Sequence, residues 1–144
     1  MKKEIHICRI FLQESTIETP EAIDLFQKQN YQIDTDLSCQ SECGSTTYEK
    51  EEAHTVSLSF QIVSRTEDTA LYVLNFTQTG LFRLNGYEED EIQEVLAVDC
   101  PNIIMPYARL HANQITSQTG LSPVLIQNIN FKELYYNEIG KELT

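Results

Sequence analysis

The chain has 144 residues, 41% of them hydrophobic, and carries 22 acidic against 10 basic side chains for a net charge of −12. That is enough chain for one domain with a real core, and too apolar for a disordered polymer. The charge excludes the basic footprint that nucleic-acid binding needs and repels anionic membranes, while favouring basic partners such as cationic unfolded segments. Ile5 to Leu12 reads as a strand with apolar groups on both faces (Ile5, Ile7 and Phe11 against Cys8, Ile10 and Leu12). Such a strand is expected to be covered on both sides, by helices or by another subunit. Gln13 to Glu18 turns polar. Thr19-Pro20-Glu21 predicts the start of a short helix holding Ala22, Ile23, Leu25 and Phe26, because proline suits a first turn and an acid suits the positive helix end.

Tyr31, Ile33, Leu37 and Cys39 share one parity and Gln32, Asp34, Asp36, Ser38 and Gln40 the other, the pattern of a half-buried strand. The polar stretch Ser41–Lys50, with Gly44, is expected to include a turn. His54 to Val63 alternates most cleanly: Val56, Leu58, Phe60 and Ile62 face one way, Thr55, Ser57, Ser59 and Gln61 the other. After a turn at Ser64–Asp68, Thr69–Leu84 predicts a second long strand, and the two are expected to form an antiparallel hairpin. Gly80 marks a bulge or a close approach within it.

Asn85-Gly86 predicts a turn, and Glu88 to Glu91 the acidic start of a helix whose apolar stripe runs Ile92, Val95, Leu96 and Val98. Pro101 should end that helix at or before Asp99, and Pro106 should open another that stops at Gly120. Leu121 to Ile129 reads as an irregular apolar connection, and Asn130 as the cap of a final helix with Phe131, Leu134, Tyr135 and Ile139. Strands first and helices after predict an α+β domain, one antiparallel sheet backed by helices.

Chemistry-bearing motifs are sparse. The sequence holds neither a Gly-x-Ser-x-Gly nucleophile motif nor a phosphate-cradling glycine loop. His6, His54 and His111 are far apart, and Cys39-x3-Cys43 offers half a zinc site with no second pair at suitable spacing. The expectation is therefore no enzyme and no metal site. No run of about 20 apolar residues is present. No apolar run of signal-peptide type follows Met1-Lys2-Lys3-Glu4-Ile5-His6, so a cytoplasmic protein is expected. Two apolar clusters stand outside the expected elements: Ile103, Ile104 and Met105 beside Tyr107, and Leu121, Val124, Leu125 and Ile126 around Pro123. They are either a core joint and a buried loop, or the lining of a groove between helix and loop that takes extended polypeptide.

The segment Cys100-Pro-Asn-Ile-Ile-Met-Pro-Tyr-Ala-Arg109 resembles the signature of the SecB family of protein-export chaperones. Ile7 to Phe11 is similar to the family's first strand, Glu14 to Pro20 to the segment after it, and Gln78 to Phe82 to the end of its fourth strand. Ser122 to Leu125, with Asn130, Phe131 and Leu134, resembles its final loop and helix, so the resemblance covers nearly all of a single domain, 1–144. It implies a four-stranded antiparallel sheet with helices packed on one face and a homotetramer built as a dimer of dimers. It implies a holdase without ATP or cofactor that keeps secretory precursors unfolded in apolar grooves and delivers them to SecA, the export motor. The first strand, apolar on both faces, fits a dimer seam in that assembly. SecA docking, carried over by the resemblance, falls on Glu14, Glu18, Val73 and Asn75, where Asn75 stands in place of the family's acid. Leu110-His111-Ala112-Asn113 also lacks the family's acid after Arg109, and the sequence ends at Thr144 with almost none of the tail that many members carry. These departures admit an alternative, a SecB-like chaperone dedicated to another client such as an antitoxin, without SecA delivery.

Overall fold

The computed structural model describes residues 2–28, 32–67 and 69–143. Four long strands, β1 (Glu4–Glu18), β2 (Asp34–Tyr48), β3 (Glu51–Thr66) and β4 (Thr69–Asn85), form one antiparallel sheet in the order β1-β4-β3-β2. Helices α1 (Ala22–Phe26), α2 (Glu89–Glu94), α3 (Cys100–Ser117) and α4 (Phe131–Leu143) complete the chain, with a five-residue π-helical turn, Val95–Asp99, joining α2 to α3. This is the expected α+β fold, with helices on one face of a four-stranded antiparallel sheet.

The alternation in β3 and β4 decides which face is covered. Val56, Leu58, Phe60 and Ile62 pair across the ladder with Gly80, Gln78, Phe76 and Leu74. These side chains meet Ile104, Met105, Ala108 and Ala112 of α3 in the core. Removing this apolar surface from water is the main stabilising term, about 25 cal/mol per Å². Gly80 is the point of closest approach. A Cβ there would lie 2.5 Å from the Phe82 ring and 3.1 Å from Ile104 Cδ1. Glycine thus lets α3 settle onto the middle of the sheet.

Among the described residues, the opposite face carries no helix and is built of small hydroxyls. Thr79 donates to Gln13 Oε1 at 2.7 Å and shares a 2.9 Å hydrogen bond with Ser57 Oγ, while Ser59 and Thr77 pair at 3.0 Å. Gln13 lies at a register shift in β1, between Leu12 and Glu14. The polar stretch after Leu12 is therefore strand that continues across a bulge, with its polar side chains serving the uncovered face.

Two expectations change. Ser41–Tyr48 is strand and pairs residue by residue with Glu51–Leu58. The turn falls at Glu49 and Lys50, both at positive φ (51° and 68°), which matches the tight two-residue hairpin geometry. Gly44 lies inside β2. The start expected for β2 at Tyr31 lies outside the described residues, as does Asp68 of the β3–β4 turn.

The second change concerns the prolines. Neither Pro101 nor Pro106 breaks the helical path from Glu89 to Ser117. Pro101 follows the π-helical turn, whose wider winding moves the preceding carbonyls away from its ring. Pro106 is exposed inside α3, and Asn102, whose carbonyl loses its helical partner to the proline, is exposed as well, which leaves that turn of the helix on the solvent side. The Ile103–Met105 run is one turn of continuous helix, with Ile104 and Met105 pointing into the core.

Other ends follow local rules. Glu88 N–H donates to Glu91 Oε1 at 3.0 Å at the start of α2, and Glu133 N–H donates to Asn130 Oδ1 at 3.0 Å at the start of α4. Gly120, at φ 81°, terminates the chain of helical residues after α3. Among the described residues no helix is long and apolar enough to cross a membrane.

Candidate functional site

The helix-facing side of β2 is covered only in part, because β2 is the edge strand farthest from β1 and α3 lies over β3 and β4. What stands over β2 instead is the π-helical turn Val95–Asp99, the connection after α3, and α4 beyond them. Between them and the strand runs a groove with two lobes. One lies between Cys39, Ser41 and Cys43 of β2 and Phe131, Leu134 and Tyr135 of α4, and holds about 670 Å³. The other lies between Ile33, Thr35 and Leu37 and the connection Ser122–Ile129, and holds about 490 Å³. Ile129 lines both, so the lobes join. From Ile33 to Cys43 the floor is extended and spans about 33 Å. Its apolar groups are open to solvent: Ile33, Leu37, Leu125 and Leu134 are all exposed. Glu42 and Glu138 stand at the α4 lobe.

The connection owes its shape to polar side chains of α3. Arg109 donates from Nε to Ile126 O and from Nη2 to Asn128 Oδ1, both at 2.9 Å. Asn113 Nδ2 donates to Val124 O at 3.4 Å. Thr116, fully buried, donates to Ala112 O at 2.7 Å and accepts the Val124 N–H at 2.9 Å. Residues 109, 113 and 116 fall on one helix face by spacing alone. Held this way, the connection alternates: Val124 and Ile126 insert into the core while Leu125 points out at 65% exposure. Thr116→Val keeps the shape but strands the buried Val124 N–H. We expect a loss of about 1–3 kcal/mol in urea unfolding, together with faster hydrogen exchange at the Val124 amide.

The eight residues expected to line a client groove separate cleanly. Leu125 is a groove residue, and Val124 and Ile126 back the same lobe from the core side. Ile104 and Met105 are core residues and offer no surface to a client here. Ile103 and Leu121 are half-buried and Tyr107 is exposed, but none of the three lines either lobe. Ile33, Leu37 and Cys39 were visible as one apolar parity, which alone does not distinguish a core face from a groove floor. Arg109, Asn113 and Thr116 carried a signal in their helical spacing.

The thiols behave as small apolar groups. Burial pushes Cys39 up to about 11, and burial with the nearby Asp99 and Cys43 pushes Cys100 up to about 12. Both stay protonated at neutral pH, where the thiolate is the reactive and metal-binding form. Cys39 and Cys43 are four residues apart on one strand face, about 13 Å, too far to share an ion. Among the described residues no group of three potential ligands gathers. His111 accompanies neither cysteine nor histidine. It hydrogen-bonds Ser15 Oγ at 2.8 Å and meets the Phe76 ring edge-on, and burial lowers its pKa.

Glu14, Glu18, Val73 and Asn75 come together on the uncovered face. Glu14 lies opposite Thr77, Thr16 opposite Asn75 and Glu18 opposite Val73, so the four sit on adjoining rungs of β1 and β4. Both carboxylates are exposed. Glu14 and Asn75 share a shallow depression of about 290 Å³ with Ser38 and Gln61.

Comparison with known proteins gives a consistent result. The model of the family described as preprotein translocase subunit SecB matches residues 1–142. A relative from Neisseria gonorrhoeae named protein-export protein SecB is 30% identical over 131 residues, covering 90% of this chain and 86% of that one. A protein of the same name from Methylobacillus flagellatus is 28% identical, covering 88% and 78%. Among solved structures, a SecB-like chaperone of Mycobacterium tuberculosis in complex with an antitoxin-derived peptide superposes with a TM-score of 0.68 at 16% identity, over 88% of this chain and 91% of that one. That identity speaks for the fold alone. With nearly its whole length matched, the chain belongs to the SecB family of chaperones.

Proposed function

We propose that this chain is an ATP-independent holdase of the cytoplasm that keeps secretory precursors unfolded and passes them to SecA. The observation that carries the reading is the two-lobed groove along β2. It is long enough for an extended segment rather than a folded surface. Its floor is an edge strand, whose outward N–H and C=O groups are free to pair with a passing backbone whatever its sequence. Exposed Leu37, Leu125 and Leu134 supply sequence-tolerant apolar contact, and the acidic rim favours basic clients. The raised thiol pKa values and scattered histidines fit a binding surface better than a catalytic one.

The second edge of the sheet supports self-assembly. On β1, Ile7, Phe11 and Leu12 are exposed, and Tyr107 and Leu110 of α3 are exposed too. An apolar edge strand beside an apolar helix is a liability in a monomer. Pairing of β1 and α3 between copies covers it, which supports a tetramer made as a dimer of dimers.

Delivery is the part that separates the export reading from a chaperone dedicated to an antitoxin or another client. The names of the curated relatives favour export. Calorimetry against SecA at physiological salt tests it. Binding is expected, and Glu14→Lys with Glu18→Lys should abolish it while client affinity stays within about twofold, because like charges then face a basic partner. Asn75→Glu should tighten docking by restoring a charge. Wild-type protein that binds unfolded client normally but not SecA would overturn the delivery half.

A further inference from the structure

One polar pair joins α3 to the edge strand β1 and takes no part in the client groove. His111 on α3 shares a 2.8 Å hydrogen bond through Nε2 with Ser15 Oγ of β1, and its ring meets Phe76 of β4 edge-on with 4.9 Å between centroids. Ser15 lies opposite Phe76 and Leu12 opposite Gln78, so both sit on the helix-covered side of the sheet edge. On α3, Tyr107 and His111 are one turn apart, with Leu110 beside them. Leu12, Tyr107 and Leu110 are exposed and belong to the apolar edge that pairing of copies covers, whereas His111 and Ser15 are half-buried within it. The surroundings offer the imidazole no countercharge. Tyr107 of α3 and Tyr72 of β4 are phenols, neutral wherever histidine titrates. Glu14 and Glu18 of β1 lie on the opposite face, and Arg109 is turned to the connection. His54 of β3 lies opposite Phe82, about 20 Å along β4 from Phe76. Burial alone lowers the His111 pKa, and among the described residues Nδ1 has no hydrogen-bond partner.

We infer that His111 is a pH sensor for self-assembly: on taking up a proton it loosens the pairing of β1 and α3 between copies. The inference rests on the assembly reading above. In a separate copy, water reaches the half-buried ring and solvates the second N–H of the imidazolium. Pairing replaces that water with the apolar edge of the other copy. Ser15 Oγ accepts one N–H, and the other is left without an acceptor. A charged ring is therefore costlier in the assembly than in the separate copy, and a two-fold seam brings in the same charge from each side. Separate copies then hold the proton more tightly than the assembly does. Association is at full strength near neutral pH, where the ring is neutral in both states, and weakens as pH falls. The window opens below the ordinary imidazole value of about 6.5, because burial already lowers the ring in the single copy.

Sedimentation velocity of the full-length protein over a range of concentrations tests this. For wild type, the dissociation constant of the assembly should rise about tenfold between about pH 7.5 and about pH 5.5, as rings on both sides of the seam take up protons. His111→Gln keeps a polar partner for Ser15 but cannot charge, and should hold its constant within about twofold over that range. His6→Gln with His54→Gln should keep the full response. His111→Arg is charged throughout, and should associate at the higher pH as weakly as wild type does at the lower, with circular dichroism reporting that its fold is intact. Wild-type association that is indifferent to pH overturns the inference. So does a His111→Gln protein that loosens as wild type does, since carboxylates then set the response. Loss of the response in the His6, His54 variant overturns it as well. Wild-type chains that stay single at the higher pH overturn the assembly reading, and this inference with it.

Discussion

Gly80→Val is expected to destabilise the domain by about 3 kcal/mol or more, the largest stability effect of any single substitution proposed for this chain. A Cβ at position 80 would stand 2.5 and 2.7 Å from Phe82 ring atoms and 3.1 Å from Ile104 Cδ1. All three contacts are buried, because Phe82 and Ile104 have no solvent exposure. Relief needs the ring to leave its packed position or α3 to rise from the sheet. Either movement disturbs contacts that also hold Val56 and Ala108 in the core. Against a typical domain stability of about 5–15 kcal/mol, such a loss removes a large fraction. Urea unfolding monitored by circular dichroism measures it. The second-site change Phe82→Leu, costly alone, should recover part of the loss in the double variant, since the two share one clash.

The second large effect is on client binding. Leu37→Asp with Leu125→Asp should weaken binding of an apolar peptide without Lys or Arg by at least tenfold, about 1.4 kcal/mol. Leu37 on the floor and Leu125 on the opposite wall both line the connection lobe. A client seated there must desolvate both carboxylates and finds no paired charge, and it loses the apolar contacts as well. Both leucines are exposed, so the fold should hold and the unfolding midpoint should stay near that of the wild type. Unchanged affinity at unchanged stability would move the client elsewhere.

The sequence was most legible where side-chain alternation and partner strands agree. Val56 to Ile62 reads as a strand because every second residue meets the core, and β4 pairs with it along its length. β2 was harder. Its second half carries Ser41, Glu42, Gly44, Ser45, Thr46 and Thr47, a turn-like composition. Pairing with Glu51–Leu58 keeps it extended anyway, since ladder hydrogen bonds supplied by a neighbour outweigh local preference. The prolines misled for a similar reason. Proline ends a helix when the freed carbonyl and the ring have nowhere to go. Here a π-helical turn before Pro101 and an exposed position at Pro106 accommodate both.

The groove was legible only in fragments. Leu125 stood out as an apolar residue outside the expected elements, but the apolar parity of Ile33, Leu37 and Cys39 read as core. Parity tells which residues share a face and says nothing of what covers that face. Coverage depends on α3 lying over β3 and β4 and leaving β2 to the connection, a tertiary choice fixed by Gly80 and by the polar side chains of α3. The shared face of Glu14, Glu18, Val73 and Asn75 follows from the register, because the bulge after Leu12 sets which face the two carboxylates take.

The proposed function requires unfolded polypeptide to lie in the groove along β2. The most direct measurement titrates a secretory precursor, diluted from denaturant, into wild-type protein and into the Leu37→Asp, Leu125→Asp variant, with the folded precursor as control. Wild type is expected to bind the unfolded precursor and ignore the folded one, and the variant to bind at least tenfold more weakly. Equal binding of the unfolded precursor by both proteins, or equal binding of folded and unfolded precursor by the wild type, would contradict it.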